Sequence, residues 1–268
     1  MFPTSCESLP LGEHRARLLE YLRAIGIPVG SVAGTIIAER RQTDDDRLLL
    51  RPNLVLWACG ACGGAHDARA DALAVAAAFD LFDRFIRLHD ELVDVDERAP
   101  RERAKGMLVA RWGLGQSLNA GDALYAMALR ALAQDVRDAE RRLRVAALVT
   151  GAVLEAIEGR TQDLERGTRG PHARDGLLAR VRSVRRRSAA LTGAALEAGA
   201  LLAGARVRVC RAFNRAGRLL AAAAEGDDTI LAERLATKAI ACVERYLHQA
   251  TFVEEFRSVA RHVAIRTA

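Results

Sequence analysis

Apolar positions along this chain recur with a helical rather than a strand period, and alternation of β-branched residues is nearly absent. The clearest case is Ala74 to Ile86, an Ala/Leu/Phe-rich run inside a helix expected over 68–94. Upstream, residues 13–40 read as one or two helices interrupted near Gly26-Ile-Pro28, followed by a polar stretch, Gln42 to Asp46, whose aspartates suit a helix start. Residues 47–62 read as an apolar helix ended by Gly63-Gly64. Downstream, a charged loop from Glu97 to Lys105 leads into a helical segment over 107–134, broken near Gly113 to Gly121. Further helices are expected over 138–166, 174–204 and 206–224, and one or two more over 227–264.

Composition supports an all-α fold. Half of the 268 residues are hydrophobic but only 4% are aromatic, and the abundant Ala, Leu and Arg all favour helix. The length allows one large domain or two small ones. No linker, repeat or low-complexity segment divides it, so a single domain over 1–268 is expected.

The net charge of +6 admits a nucleic-acid or membrane-surface partner in principle. The arginines, however, are interleaved with Asp and Glu and lack a series of stacking aromatics, so no nucleic-acid partner is expected. The five cysteines are odd in number and irregular in spacing, which argues against a disulfide framework. Cys59 and Cys62 form a CxxC with no second pair at zinc spacing, and are expected to pack as small apolar residues. The polar N-terminus, Met1 to Arg15, is unlike a secretory leader. The nearly uncharged run Ser188 to Ala205 contains Glu197 and reads as a buried helix rather than a membrane span. A cytoplasmic protein without an integral membrane segment is therefore expected.

The chemistry concentrates in Arg87-Leu-His-Asp-Glu-Leu-Val-Asp-Val-Asp-Glu97. On a helix Asp90 and Asp94 lie one turn apart on one face, with Glu91 and Glu97 beside it. Carboxylates held this closely repel one another unless a cation neutralises them. Oxygen-only ligands suit Mg²⁺, which keeps some water and shares phosphate oxygens with a substrate. A solvated acidic face is the alternative reading, but this cluster emerges directly from an apolar helix.

Four segments together resemble the trans-type polyprenyl diphosphate synthases of the class I isoprenoid synthase superfamily. They are Arg51-Pro52, His89-Asp-Glu-Leu-Val-Asp94, Arg111-Trp-Gly113 with Leu118-Asn-Ala-Gly-Asp-Ala-Leu124, and Glu158-Gly159 with Asp163-Leu164. The resemblance runs from about Arg47 to Glu233. It implies a helical bundle around a deep central cavity, with acidic helices at its mouth binding three Mg²⁺ and the diphosphate of an allylic prenyl substrate. It also implies a homodimer. Asp90, Glu91 and Asp94 match the first acidic motif, and Asp227 and Asp228 match a shortened second one. Arg47, Arg51, Arg101, Arg103 and Arg187 are the expected diphosphate-binding cations. Phe82, Phe85, Ile86 and His89 are expected at the cavity, as are Asn119, Asp122 and Asp163 from the matching motifs. Core packing would explain the phenylalanines equally.

The sequence also departs from the family pattern. The Gly-Gly-Lys that holds isopentenyl diphosphate is replaced by Asp45-Asp-Arg-Leu48, and the second acidic motif has Leu231 in place of its third Asp. Glu225, Thr229 and Glu233 instead recur every four residues, resembling the metal-binding triad of terpene cyclases, although an exposed helix face explains Glu233 as well. These losses fall on the second-substrate side. The expected activity is therefore ionisation of one C15 or C20 prenyl diphosphate, with cyclisation or quenching of the cation. Elongation with isopentenyl diphosphate and a role as a non-catalytic partner subunit are the alternatives.

Overall fold

The structure, a computed structural model, describes residues 11–25, 30–31, 34–35, 50–98, 108–168, 176–224 and 229–265. Its helices are α1 (Leu11–Ala24), α2 (Leu50–Ala61), α3 (His66–Arg98), α4 (Leu108–Asp135), α5 (Ala139–Thr168), α6 (Gly176–Leu202), α7 (Val207–Ala224), α8 (Thr229–Glu244) and α9 (Ala250–Ile265). Among the described residues there is no strand, as the 3.6-residue periodicity predicts. The expected 227–264 segment resolves into the two helices α8 and α9.

Glycines set the helix boundaries. Gly63 has φ 76°; its amide donates to the Gly60 carbonyl at 2.9 Å, and the Gly64 amide donates to the Cys59 carbonyl at 2.9 Å. This pair of bonds satisfies the last carbonyls of α2 and turns the chain into α3. Gly204 does the same at the end of α6, with φ 78°, its own amide on the Leu201 carbonyl and that of Ala205 on Ala200. The expected break in 107–134 is narrower than the glycine spacing suggests. Only Gly113 leaves the helical region, with φ 75° and ψ 164°, and the helix runs on through Gly115 and Gly121.

Helices α3 and α6 form the centre. Helix α3 packs on α1, α2, α4 and α6, and α6 packs on α2, α3, α5 and α7. Both are rich in buried alanine: Ala72, Ala74 and Ala76–Ala78 in α3, and Ala190, Ala194, Ala195, Ala198 and Ala200 in α6. Small side chains let backbones approach closely. A Cβ at Gly199 would lie 2.7 Å from Ala58 Cβ and 2.9 Å from the Cys59 nitrogen, so α6 lies directly on α2. Around this centre Trp57 of α2 stacks on Phe213 of α7 and Phe256 of α9, with ring centroids 6.0 and 5.0 Å apart. Cys59 packs in this apolar layer and Cys62 beside it; burial pushes both thiols up to about 12. They remain free thiols, packed as the sequence suggested.

Helix α3 also carries charge into the core. Asp71, Asp80, Asp83 and Arg84 are all buried. Each needs a partner, because a lone ion is expensive to desolvate. Arg84 Nε donates to Asp80 Oδ2 at 2.6 Å and its Nη2 to Oδ1 at 3.0 Å, a pairing one turn apart. Arg137 reaches Asp71 at 2.9 Å.

Candidate active site

Helix α3 places its acidic motif at its C-terminal end, beyond the apolar run that buries the rest of the helix. Asp90 and Glu91 are half-buried there. Asp94 and Glu97 lie on the same helix by backbone, but their side chains fall outside the described residues. Across from α3, Arg160 of α5 sets its Nε 3.0 Å from Asp90 Oδ1, with side chains 23% and 31% exposed. A cation therefore neutralises Asp90, as closely spaced carboxylates require.

One turn back, three aromatic rings cluster beside His89 in tilted and edge-on contacts. Phe85 lies 4.5 Å from the His89 ring and 5.2 Å from Tyr125 of α4, and Phe82 meets Tyr125 edge-on at 5.4 Å. Phe82 is fully buried and Phe85 nearly so, while Ile86 is half-buried against the core. Burial draws the His89 imidazole below its usual range, and Asp122 and Asp90 pull the other way. Its Nε2 is buried without a hydrogen-bond partner. That nitrogen faces the backbone of Gly121: a Cβ there would lie 2.5 Å from His89 Cδ2 and closer still to Nε2. The glycine of the Asn-Ala-Gly-Asp segment thus has a physical reason, since only a residue without a side chain lets α4 lie against His89. Gly121→Ala is expected to displace His89 and the adjacent Asp90. It should lower catalytic rate more than it lowers the melting temperature, because the clash falls on a side chain rather than on backbone; parallel activity and thermal-unfolding measurements check this.

Arg51, expected to bind diphosphate, is engaged on three sides. Its Nη1 donates to Asp83 of α3, its Nε to the Thr192 hydroxyl of α6 at 3.3 Å, and its Nη2 to the Ser188 hydroxyl at 3.2 Å. Burial pushes the Asp83 carboxyl up, and the Arg51 guanidinium opposes this. The residue therefore joins α2, α3 and α6, whatever else it binds. Asn119 and Asp122 are exposed on α4 rather than enclosed, because the outer side of that helix has little packed against it. Asp122 is close enough to His89 to act on it electrostatically.

Thr229 opens α8 half-buried, and Glu233 is exposed one turn on. Glu225 lies beyond the described span of α8, so the face shared by all three members of the suggested triad is not seen. Arg47, Arg101, Arg103, Asp227 and Asp228 lie outside the described residues. So do the side chains of Arg187 and Asp163, whose backbones belong to α6 and α5. Among the described residues no group of three or more His, Cys, Asp or Glu side chains converges to hold a metal ion. What the described part offers is a pair of hard oxygen donors, Asp90 and Glu91, the first of which already takes a cationic partner. That donor chemistry fits Mg²⁺.

Sequence reasoning named the segment containing Arg160 but not the residue itself. Its signal was an arginine inside the Glu158-Gly159…Asp163-Leu164 motif, facing the acidic helix. Asp83, Thr192 and Tyr125 were missed, because nothing local marks them; only the packing of helices distant in sequence brings them to Arg51 and Phe85.

A sequence profile of the polyprenyl synthetase family matches residues 48–225. The chain belongs to this family. Among relatives, a short chain isoprenyl diphosphate synthase of Methanothermobacter thermautotrophicus is 33% identical over 115 residues, which is 43% of this chain and 33% of the relative. A geranylgeranyl diphosphate synthase of Mycobacterium tuberculosis is 39% identical over 82 residues, 31% of this chain and 22% of the relative. The matched stretches thus span a third or less of those relatives' lengths. Solved structures extend the likeness of fold. A decaprenyl diphosphate synthase from Rhodobacter capsulatus superposes with a TM-score of 0.77 at 18% identity, covering 96% of this chain and 97% of that one. A geranylgeranyl pyrophosphate synthetase from Geoglobus acetivorans gives 0.75 at 17% identity, with 95% and 99% coverage. The helical bundle expected from the polyprenyl synthetase resemblance is therefore the fold observed. Among the described residues of this family member, no helix is long and apolar enough to cross a membrane.

Proposed function

We propose that this polyprenyl synthetase family member is a Mg²⁺-dependent trans-prenyltransferase, one domain over 1–268, that joins an allylic prenyl diphosphate to isopentenyl diphosphate. The observation that carries the proposal is the acidic end of α3. There Asp90 and Glu91 follow the Phe85–His89 ring contact along the helix, and Asp90 pairs with a cation on α5, within the segment matched by the family. The relatives named above as isoprenyl diphosphate synthases support elongation over the cyclisation expected first from the sequence, since none of them is named as a cyclase.

The chain's own residues divide the work. Asp90 and Glu91, with Asp94 and the Asp227-Asp228 pair, would hold magnesium, which when bound supplies positive charge to the leaving diphosphate. Three ions are expected for the family. Arg47, Arg51, Arg101, Arg103 and Arg187 would add cationic hydrogen-bond donors to diphosphate oxygens. Phe82, Phe85 and Tyr125 provide an apolar wall that keeps water from a cationic allyl group. Burial at His89 lowers its pKa, which disfavours a second positive charge beside that cation.

Incubation with C10, C15 and C20 diphosphates, each with and without isopentenyl diphosphate, followed by mass analysis, tests the proposal. Longer prenyl diphosphates that form only in its presence are expected. Diphosphate release from one substrate alone would return the cyclising reading. That second reading keeps one specific support: Arg51 is already engaged by Asp83, Thr192 and Ser188, which weakens the side serving the second substrate. Absence of turnover under every condition would favour a non-catalytic partner subunit.

The same wall sets a product prediction. Phe82→Ala opens space beneath Asp90 and should lengthen or alter the product, read by mass analysis. An unchanged profile in a folded variant would remove Phe82 from the wall.

A homodimer completes the proposal. Its support is an apolar face on α4 and α5, where Leu143 and Leu154 are 72% and 65% exposed and Leu114, Leu118 and Ile157 are exposed with them. An open groove between these helices is lined by Leu129, Leu132, Ala133, Arg142, Leu143 and Ala146. Large apolar side chains exposed on neighbouring helices support an interaction site there. A monomeric mass in solution at micromolar concentration would remove the dimer from the proposal.

A further inference from the structure

We propose that Arg160 is a built-in counter-ion of Asp90, and that a divalent cation takes Asp90 by exchange with its guanidinium. The inference rests on the reading of Asp90 as a metal ligand. Three observations carry it. The pair joins two different helices, α3 and α5, at 3.0 Å, so it is made by the fold and not by neighbours on one helix. Its side chains are 23% and 31% exposed, so the pair is partly desolvated yet open to solvent exchange. Asp90 is also followed directly by Glu91 and, one turn on, by Asp94. A cluster of that charge needs a positive partner in the metal-free protein.

Arginine cannot give up its charge. A dication on Asp90 Oδ1 would therefore face a permanent guanidinium at contact distance, and the two repel. Metal entry must move Arg160 off the carboxylate, and the energy of the pair is subtracted from metal affinity. Arg160 is mostly covered, with 23% of its side chain exposed, so its release is a rotation of its long stem toward the solvent-facing side of the pair. Once released, its planar fork suits diphosphate oxygens. Metal loading and diphosphate capture would then be coupled through one side chain.

The test is Mn²⁺ binding without substrate, followed by calorimetry or by the electron paramagnetic resonance of free Mn²⁺. Five proteins are compared: the full chain, Arg160→Gln, Arg160→Lys, Asp90→Asn, and Arg160→Gln combined with Asp90→Asn. Arg160→Gln is expected to bind Mn²⁺ about three- to tenfold more tightly, from removal of one nearby charge. Arg160→Lys, which keeps that charge, should stay near the parent affinity. With Asp90→Asn in place, Arg160→Gln should bring no such gain over Asp90→Asn alone. Equal affinity of the parent and folded Arg160→Gln overturns the exchange while leaving Asp90 as a ligand. If no variant binds Mn²⁺ while all retain their helical circular dichroism, the metal reading of Asp90 fails first and the exchange falls with it.

Discussion

Asp90→Asn is expected to lower the rate of diphosphate release by about 10²–10³-fold, the scale seen when a main electrostatic group is removed from an active site. The change keeps the shape of the side chain and removes its charge, so metal would lose an anionic oxygen donor at the centre of the acidic cluster. Stability should change little. Asp90 is 31% exposed and its ion pair with Arg160 is partly solvated; such pairs contribute at most about 1 kcal/mol. Glu97 lies almost two turns further along α3, and Glu97→Gln should cost far less rate than Asp90→Asn. Diphosphate release and thermal unfolding measured together separate the two effects. Full activity in a folded Asp90→Asn protein would remove the acidic end of α3 from the chemistry and take the proposed function with it.

Much of this was legible along the chain because the relevant signals are local. The apolar run Ala74 to Ile86 and the scarcity of proline determine a long helix, and α3 extends four residues past the acidic motif's Asp94 to Arg98. Gly63-Gly64 ends α2 through backbone bonds that glycine makes easily. The motif order carried the family, and the family carried the fold.

Contacts between distant helices are a different matter. Arg51 is an arginine near the start of an apolar helix, and nothing beside it in sequence tells whether its donors point to substrate or inward. The answer lies with Asp83, Ser188 and Thr192, which are separated from it by 32, 137 and 141 residues. Gly121 shows the same limit. In sequence it resembles the glycines of a break, whereas in the fold it is helical and small because His89 presses on it. Arg160 likewise reads as one more solvated arginine in a basic chain until α5 is laid beside α3. Charge pairing across helices depends on rotation and register, and the residue pattern of a single helix does not encode either.

The buried charges of α3 make the second large prediction. Asp80 and Arg84 are 2% and 5% exposed, joined at 2.6 and 3.0 Å, while Arg84 Nη1 has no hydrogen-bond partner. Desolvating two ions is offset only by their mutual attraction and hydrogen bonds, so the pair contributes little net stability, but each member depends on the other. Asp80→Leu alone strands a guanidinium that cannot lose its proton. The expected cost is about 3–5 kcal/mol, or about 10 °C in melting temperature for a chain of this size. Asp80→Leu combined with Arg84→Met replaces both charges with apolar groups of similar bulk and should recover most of that loss, because no ion is left to strand. Denaturant unfolding of the parent, the single variant and the double variant gives the comparison. A single variant as stable as the parent would mean that water reaches Arg84 and that this part of α3 is wetter than its packing shows. Recovery in the double variant would instead assign the pair to the specificity of helix packing rather than to its strength. Asp83, which holds Arg51 of α2, sits one turn after Asp80 on α3, so the buried charges of this helix lie directly before the Phe85, His89 and Asp90 that form the site.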